Sequence, residues 1–215
     1  MQINPTILTD DQNDYLRQLS RDSSFAKEID IDVIDWDRTE RKTLSAGEAL
    51  DNSVVCALNF DLMMDFPLAA LKPILADKRV RRVIINIASK EELLPLLLKI
   101  KNAGKLRGIS FSDPRDYGKL KKYFRVVDSI HIFTIQPGAQ GNAFRPEMLE
   151  YAKTIKEDGF TGVIGIDGGV NIDTLSTICE YPIDIAVVGS AISKAAAPDK
   201  VYAELVRKVE QLLGK

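Results

Sequence analysis

The chain has 215 residues, of which 45% are hydrophobic and 28% charged, and its formal net charge is −2. That is enough apolar material for one domain with a large core. The near-neutral balance offers no basic field to nucleic acid, and no apolar run is long enough to span a bilayer.

Two cysteines, Cys56 and Cys179, lie far apart and make neither a metal knuckle nor a disulfide framework; they read as core thiols. The start, MQINPTILTDDQ, lacks the basic end and apolar centre of a signal peptide. The expectation is a single domain over residues 1–215 in the cytoplasm, with no nucleic-acid or membrane partner. Assembly into a homo-oligomer stays open.

In chain order, short apolar runs occur at INPTIL, EIDIDVI, SVVCALNF, RRVIINIA, LRGISF, VVDSIHIFTI, GVIGID and DIAVVG. Helical patterns with end signals separate most of them. Thr9 and Gln12 suggest a capping box before DYLRQLSR. SKEELLPLLLKIKNAG ends in Gly104, a helix-terminating glycine, and Pro95 should kink or delay its first turn. Asp113 and Pro114 open RDYGKLKKYF, and Pro198 opens DKVYAELVRKVEQLL. Residues 36–53 are weakly patterned and leave room for a short helix only. Eight strands alternating with helices in about 200 residues predict an α/β fold, a (β/α)8 TIM barrel. An open doubly wound sheet is the alternative, and it usually needs fewer strands.

Strand residues of a barrel alternate between its interior and the helix layer. In IDIDVID, residues 29–35, that alternation turns Ile29, Ile31 and Val33 toward the helices. Asp30 and Asp32 then point inward on one face, about 6.6 Å apart. Buried carboxylates are rare unless paired or metal-bound. ALNFDLMM brings Asp61 to the end of the third strand, and GVIGIDGGVN brings Asp167 to the end of the seventh. Three strand ends thus deliver four acids to the C-terminal mouth, where barrel sites form. Asp35 and Asp37 read as solvated loop acids. His131, the single histidine, reads as a packed core residue deep in the sixth strand.

Glycine loops follow two neighbouring strands, DGGVN after the seventh and VVGSAIS after the eighth. Such loops let backbone N–H groups approach a bound anion, and barrels often hold phosphate there. QPGAQGNAFRP, residues 136–146, has the length and glycines of a lid.

FTIQPGAQGNAFRPEML, GIDGGVN and VVGSAI resemble the signature loops of the ribulose-phosphate 3-epimerase family, and NPTIL resembles its first strand. The resemblance spans nearly the whole chain, is strongest over residues 99–194, and implies the same (β/α)8 fold. That family holds a divalent metal through two histidines and two aspartates. Aspartates stand at all four positions here: Asp30 and Asp61 in place of the histidines, with Asp32 and Asp167 matching the family's acid–base pair. By resemblance, Asp32 and Asp167 are catalytic, and Asp30, Asp32, Asp61 and Asp167 form an all-oxygen set suited to a hard ion such as Mg²⁺ or Mn²⁺. Gly141, Gly168, Gly169, Gly189 and Ser190 match the phosphate-gripping positions. Thr6, Ile34, Met63 and Phe133 match positions that line the substrate.

The resemblance implies epimerisation of a ketose phosphate, of the D-ribulose 5-phosphate and D-xylulose 5-phosphate class, at carbon 3 through a metal-stabilised enediolate. Two other classes stay in view. One is a phosphosugar-binding barrel without the metal centre. The other is a decarboxylase or aldolase on a related barrel. Asp30-Ile-Asp32-Val-Ile-Asp35 has the spacing of the decarboxylases' Asp-x-Lys-x-x-Asp motif, but with aspartate at the lysine position. No lysine lies in the second, third or seventh strand to form a Schiff base.

Overall fold

A computed structural model of the chain describes residues 1–36, 42–136 and 142–214. Eight parallel strands close on themselves in sequence order. They are β1 (Gln2–Ile7), β2 (Glu28–Asp35), β3 (Ala57–Met64), β4 (Val80–Asn86), β5 (Leu106–Phe111), β6 (Ser129–Phe133), β7 (Val163–Asp167) and β8 (Ile185–Val188). The helices between and after them are α1 (Gln12–Asp22), α2 (Ala46–Leu50), α3 (Leu68–Ala76), α4 (Leu93–Asn102), α5 (Tyr117–Leu120), α6 (Glu150–Glu157), α7 (Leu175–Ile178), α8 (Ser190–Ser193) and α9 (Pro198–Leu213). The expected (β/α)8 barrel is therefore the observed one.

Its apolar core lies between barrel and helices. Ile29, Ile31 and Val33 of β2 are buried there, as are Phe60 and Leu62 of β3 and Val83 and Ile85 of β4. Burying such side chains contributes roughly 2 kcal/mol each and makes every strand apolar on its outer face. The inner face is polar to an unusual degree, with Asn4, Thr6, Asp30, Asp32, Asn59, Asp61, Arg82, Asn86, Ser110, His131 and Asp167 all buried. In-register pairing carries Asp30 of β2 beside Asn59 of β3, and Asn59 beside Arg82 of β4. Asp32 pairs with Asp61.

Several element ends differ from the sequence expectation, each for a local reason. Asp11, not Thr9, caps α1, because its carboxylate accepts the Asp14 N–H at 2.7 Å; Thr9 Oγ1 instead accepts the Asp11 N–H. The reciprocal capping box occurs at α2, where Ser45 and Glu48 satisfy each other's backbone N–H. The third strand starts at Ala57, after SVVC, and runs on to Met64, so Asp61 lies within the strand with three residues after it. RDYGKLKKYF is a 3₁₀ turn, the four-residue α5 and a second 3₁₀ turn, with the poor helix former Gly118 in the middle. Pro95 sits in the first turn of α4, where it forfeits no helical hydrogen bond, and Gly104 ends that helix at φ +73°. No helix among the described residues is long and apolar enough to cross a membrane.

Candidate active site

The acids read from the sequence are all inside the barrel: Asp30, Asp32, Asp61 and Asp167 are each less than a tenth exposed. Their surroundings divide them. Asp30 lies one inward position below Asp32, toward the N-terminal end of β2. Its Oδ2 accepts from Asn4 Nδ2 at 2.7 Å and from Asn59 Nδ2 at 3.3 Å. Burial pushes its carboxyl up to about 6, although the charge of Arg82 and the two amide bonds oppose the rise.

Asp32, Asp61 and Asp167 share the mouth. Thr6 Oγ1 donates to Asp32 Oδ1 at 3.1 Å. Ser110 Oγ donates to Asp61 Oδ1 at 3.1 Å, and Asn86 Nδ2 donates to that same serine at 3.3 Å. Burial, reinforced by the charge of Asp32, holds the Asp61 carboxyl well above the ordinary range; the Ser110 bond only partly opposes this. Burial also raises Asp167 well above it, with Asp32, Asp61 and Asp30 adding to the rise in that order. Like charges enclosed in low dielectric oppose one another's ionisation and so raise each other's proton affinity.

The residues expected to line a substrate are placed around these acids. Thr6 touches Asp32, Ile34 pairs with Met63 two positions beyond the Asp32–Asp61 pair, and Phe133 pairs with Asp167. All four are buried. His131 is buried deeper in β6, its ring packed over Gly165, where a Cβ would lie 2.6 Å from Nδ1. Burial and the nearby Arg82 lower its pKa to about 3, so the ring is a neutral core group.

Gly168 and Gly169 follow Asp167 at φ +104° and +69°, a region favouring glycine. A Cβ on Gly168 would lie 2.3 Å from Ile135, and one on Gly169 2.6 Å from Phe144. Both glycines thus seat the ends of the β6 loop as well as forming the β7 turn. Gly189 precedes Ser190, the first residue of α8. Gly141 lies outside the described residues, as do residues 137–141 of the expected lid and Asp37.

Thr134 and the Asn86–Ser110 pair are polar residues that the acid-centred reading passed over. The Thr134 N–H donates to the Asp167 carbonyl at 2.8 Å and its Oγ1 to the Gly168 carbonyl at 2.6 Å, fixing the β7 turn beneath the β6 loop. The signal for Asn86 and Ser110 was the one that exposed the acids: an inward polar residue near the end of an apolar strand.

Among the described residues, no group of three or more His, Cys, Asp or Glu side chains could hold a metal ion. The donor chemistry agrees. Asp30 Oδ2 is faced by two amide N–H groups, while Asp32 and Asp61 accept from hydroxyls. The set does not fit the ion that the four positions implied.

Fold and mouth together define a (β/α)8 barrel with a carboxyl pair set across its C-terminal opening. The Ribulose-phosphate 3 epimerase family profile matches residues 2–193. The chain belongs to that family, whose named relatives are isomerases. It is 27% identical to the ribulose-phosphate 3-epimerase of Mycobacterium leprae (strain TN), covering 84% of this chain and 83% of that one. It is 25% identical to the Escherichia coli (strain K12) ribulose-phosphate 3-epimerase, covering 94% and 93%. Among solved structures, 3-hexulose-6-phosphate synthase superposes with a TM-score of 0.67 at 14% identity, over 97% of this chain and 99% of that one. A mutant tryptophan synthase α-subunit from Pyrococcus furiosus gives 0.65 at 14%, over 100% and 98%. These two share the fold.

Proposed function

We propose that the chain epimerises a ketose phosphate of the D-ribulose 5-phosphate and D-xylulose 5-phosphate class at carbon 3, with Asp32 and Asp167 as the acid–base pair. One observation carries the reading: two buried carboxyls, from β2 and β7, face one mouth and lie close enough for the charge of Asp32 to move the proton affinity of Asp167. Asp32 takes the proton from carbon 3, leaving an enediolate across carbons 2 and 3. Asp167, whose hold on a proton burial and its neighbours strengthen, delivers a proton to carbon 3 from the opposite face. Asp61, whose proton affinity burial also raises, is the group assigned to donate an O–H to the developing oxyanion. Mg²⁺ or Mn²⁺ enters no step.

The phosphate is assigned to the turns at Gly168–Gly169 and Gly189–Ser190, with Gly141 of the β6 loop as a further candidate, where backbone N–H groups can approach an anion. Thr6, Ile34, Met63 and Phe133 shape the wall against the sugar. The second reading is a phosphosugar binder that has lost catalysis, favoured by the replacement of both family histidines. Titration with D-ribulose 5-phosphate, together with an assay for D-xylulose 5-phosphate, separates the two. Saturable binding with turnover supports epimerisation, while binding without turnover supports the binder. Gly189→Val should weaken binding at least tenfold, and equal affinities would remove the phosphate assignment.

A further inference from the structure

Asp61 is held by a directed chain of hydrogen bonds that starts on the backbone. We infer that Asn86 and Ser110 are positioning residues for the epimerisation: they commit the Ser110 hydrogen to Asp61 Oδ1 and so make Oδ2 the oxygen that serves the developing oxyanion. The inference rests on the epimerase reading, in which Asp61 donates to that oxyanion.

The direction of each link follows from what its atoms can do. The Ala88 N–H can only donate, and it points at Asn86 Oδ1, 3.0 Å away. That contact fixes which end of the amide is oxygen, so Asn86 presents Nδ2 to Ser110 Oγ at 3.3 Å. An amide nitrogen accepts nothing. The one hydrogen of the serine hydroxyl therefore cannot return to Asn86 and goes to Asp61 Oδ1, at 3.1 Å. Oδ1 then has a hydrogen directed at it, and the acid's own hydrogen belongs on Oδ2. Thr6 shows the contrast. Its Oγ1 faces two acceptors, Asp32 Oδ1 at 3.1 Å and the Asp30 carbonyl at 3.2 Å, so its one hydrogen is divided between them. A hydroxyl between one donor and one acceptor orients a carboxyl; a hydroxyl between two acceptors does not. The supports are rigid as well. Asn86 and Ser110 are register partners on β4 and β5, and Asp61 pairs with Ile84 of β4. Asn86, Ser110 and Asp61 are 1%, 0% and 3% exposed, which leaves water little access to compete for these bonds. Groups held on strands keep their geometry better than groups on loops, and a misplacement of about 1 Å can cost a rate factor of about 10².

Initial rates over a range of D-ribulose 5-phosphate concentrations separate kcat from KM in the wild type, Ser110→Ala, Asn86→Asp and the double variant. Ser110→Ala should lower kcat by about tenfold or more and move KM by less than about twofold, because Asp61 acts on the oxyanion and not on the bound sugar. Asn86→Asp keeps the shape but puts an acceptor where the donor was. It draws the Ser110 hydrogen away from Asp61 and should cost a similar factor. The double variant should be no more than about threefold slower than the slower single variant, since both changes break the same chain. Losses that multiply would show that Asn86→Asp acts by its charge alone and would overturn the inference. So would an unchanged kcat in Ser110→Ala, or a loss carried by KM. If Asn86→Asp fails to fold, the kcat and KM of Ser110→Ala decide. A wild type that binds the sugar phosphate without turnover removes the epimerase reading and this inference with it. A wild type that turns over, beside Ser110→Ala with the same kcat, removes the inference only.

Discussion

Asp61 condenses the problem that the mouth poses. It is 3% exposed, accepts one hydroxyl bond from Ser110 and faces the charge of Asp32. A carboxyl raised on folding binds its proton more tightly in the native protein than in the unfolded chain. Its favourable contribution is complete below the ordinary carboxyl value, about 4, and is lost as pH rises through the native value. For Asp30 that window runs from about 4 to about 6, and Asp61 and Asp167 extend it upward. Asp61→Asn keeps an acceptor for Ser110 and removes the charge. It should raise the melting temperature at pH 8 by about 3 °C and change it little at pH 4.5. A lower melting temperature at pH 8 would mean that Asp61 is stabilised as a carboxylate. These acids were legible in the sequence because a charge inside an apolar strand breaks the alternation that burial imposes. Their partners were not. That Asn59 serves Asp30, and Ser110 serves Asp61, depends on how separate strands come together, at sequence separations of 29 and 49, which no local pattern encodes.

At the scale of elements, strands were easier to read than their ends. Apolar alternation located all eight, but SVVC looked like β3 because its apolar residues continue those of the strand. Arg79 shows what holds the segment outside the barrel. Its guanidinium donates to the carbonyls of Leu50, Asn52 and Val54 and to Asn52 Oδ1, while Asp77 grips its other side. It thereby ties the connection after α2 to the turn before β4. Arg79→Ala should cost about 3 kcal/mol in a denaturant melt, and Arg79→Lys should not restore it, since an ammonium cannot span these acceptors. A loss under 0.5 kcal/mol would show the hub to be dispensable. The β7 turn makes a second case. Gly168 has φ +104° and no room beside Ile135. Gly168→Ala should therefore destabilise the protein by more than 1 kcal/mol and weaken sugar phosphate binding with it. Unchanged stability would show that Ile135 yields. The sequence suggested glycine here for an anion; the structure adds the packing of the β6 loop, a contact between separate loops.

The whole molecule is a family barrel with four acids buried inside it. Fold and family were readable from end to end, because alternation of strands and helices and the loops FTIQPGAQGNAFRPEML and GIDGGVN are local features. The surroundings of the four acids were not, because they depend on contacts in space: amides about Asp30, hydroxyls at Asp32 and Asp61. The central claim is that two carboxyls still exchange a proton at carbon 3. Proton NMR of D-ribulose 5-phosphate with the protein in deuterated buffer containing EDTA tests it directly. The wild type should replace the carbon 3 hydrogen by deuterium and form D-xylulose 5-phosphate, while Asp167→Asn should slow epimerisation by about 10² to 10⁴-fold. A wild-type protein that binds the sugar phosphate yet leaves the carbon 3 hydrogen in place and forms no D-xylulose 5-phosphate would contradict the account.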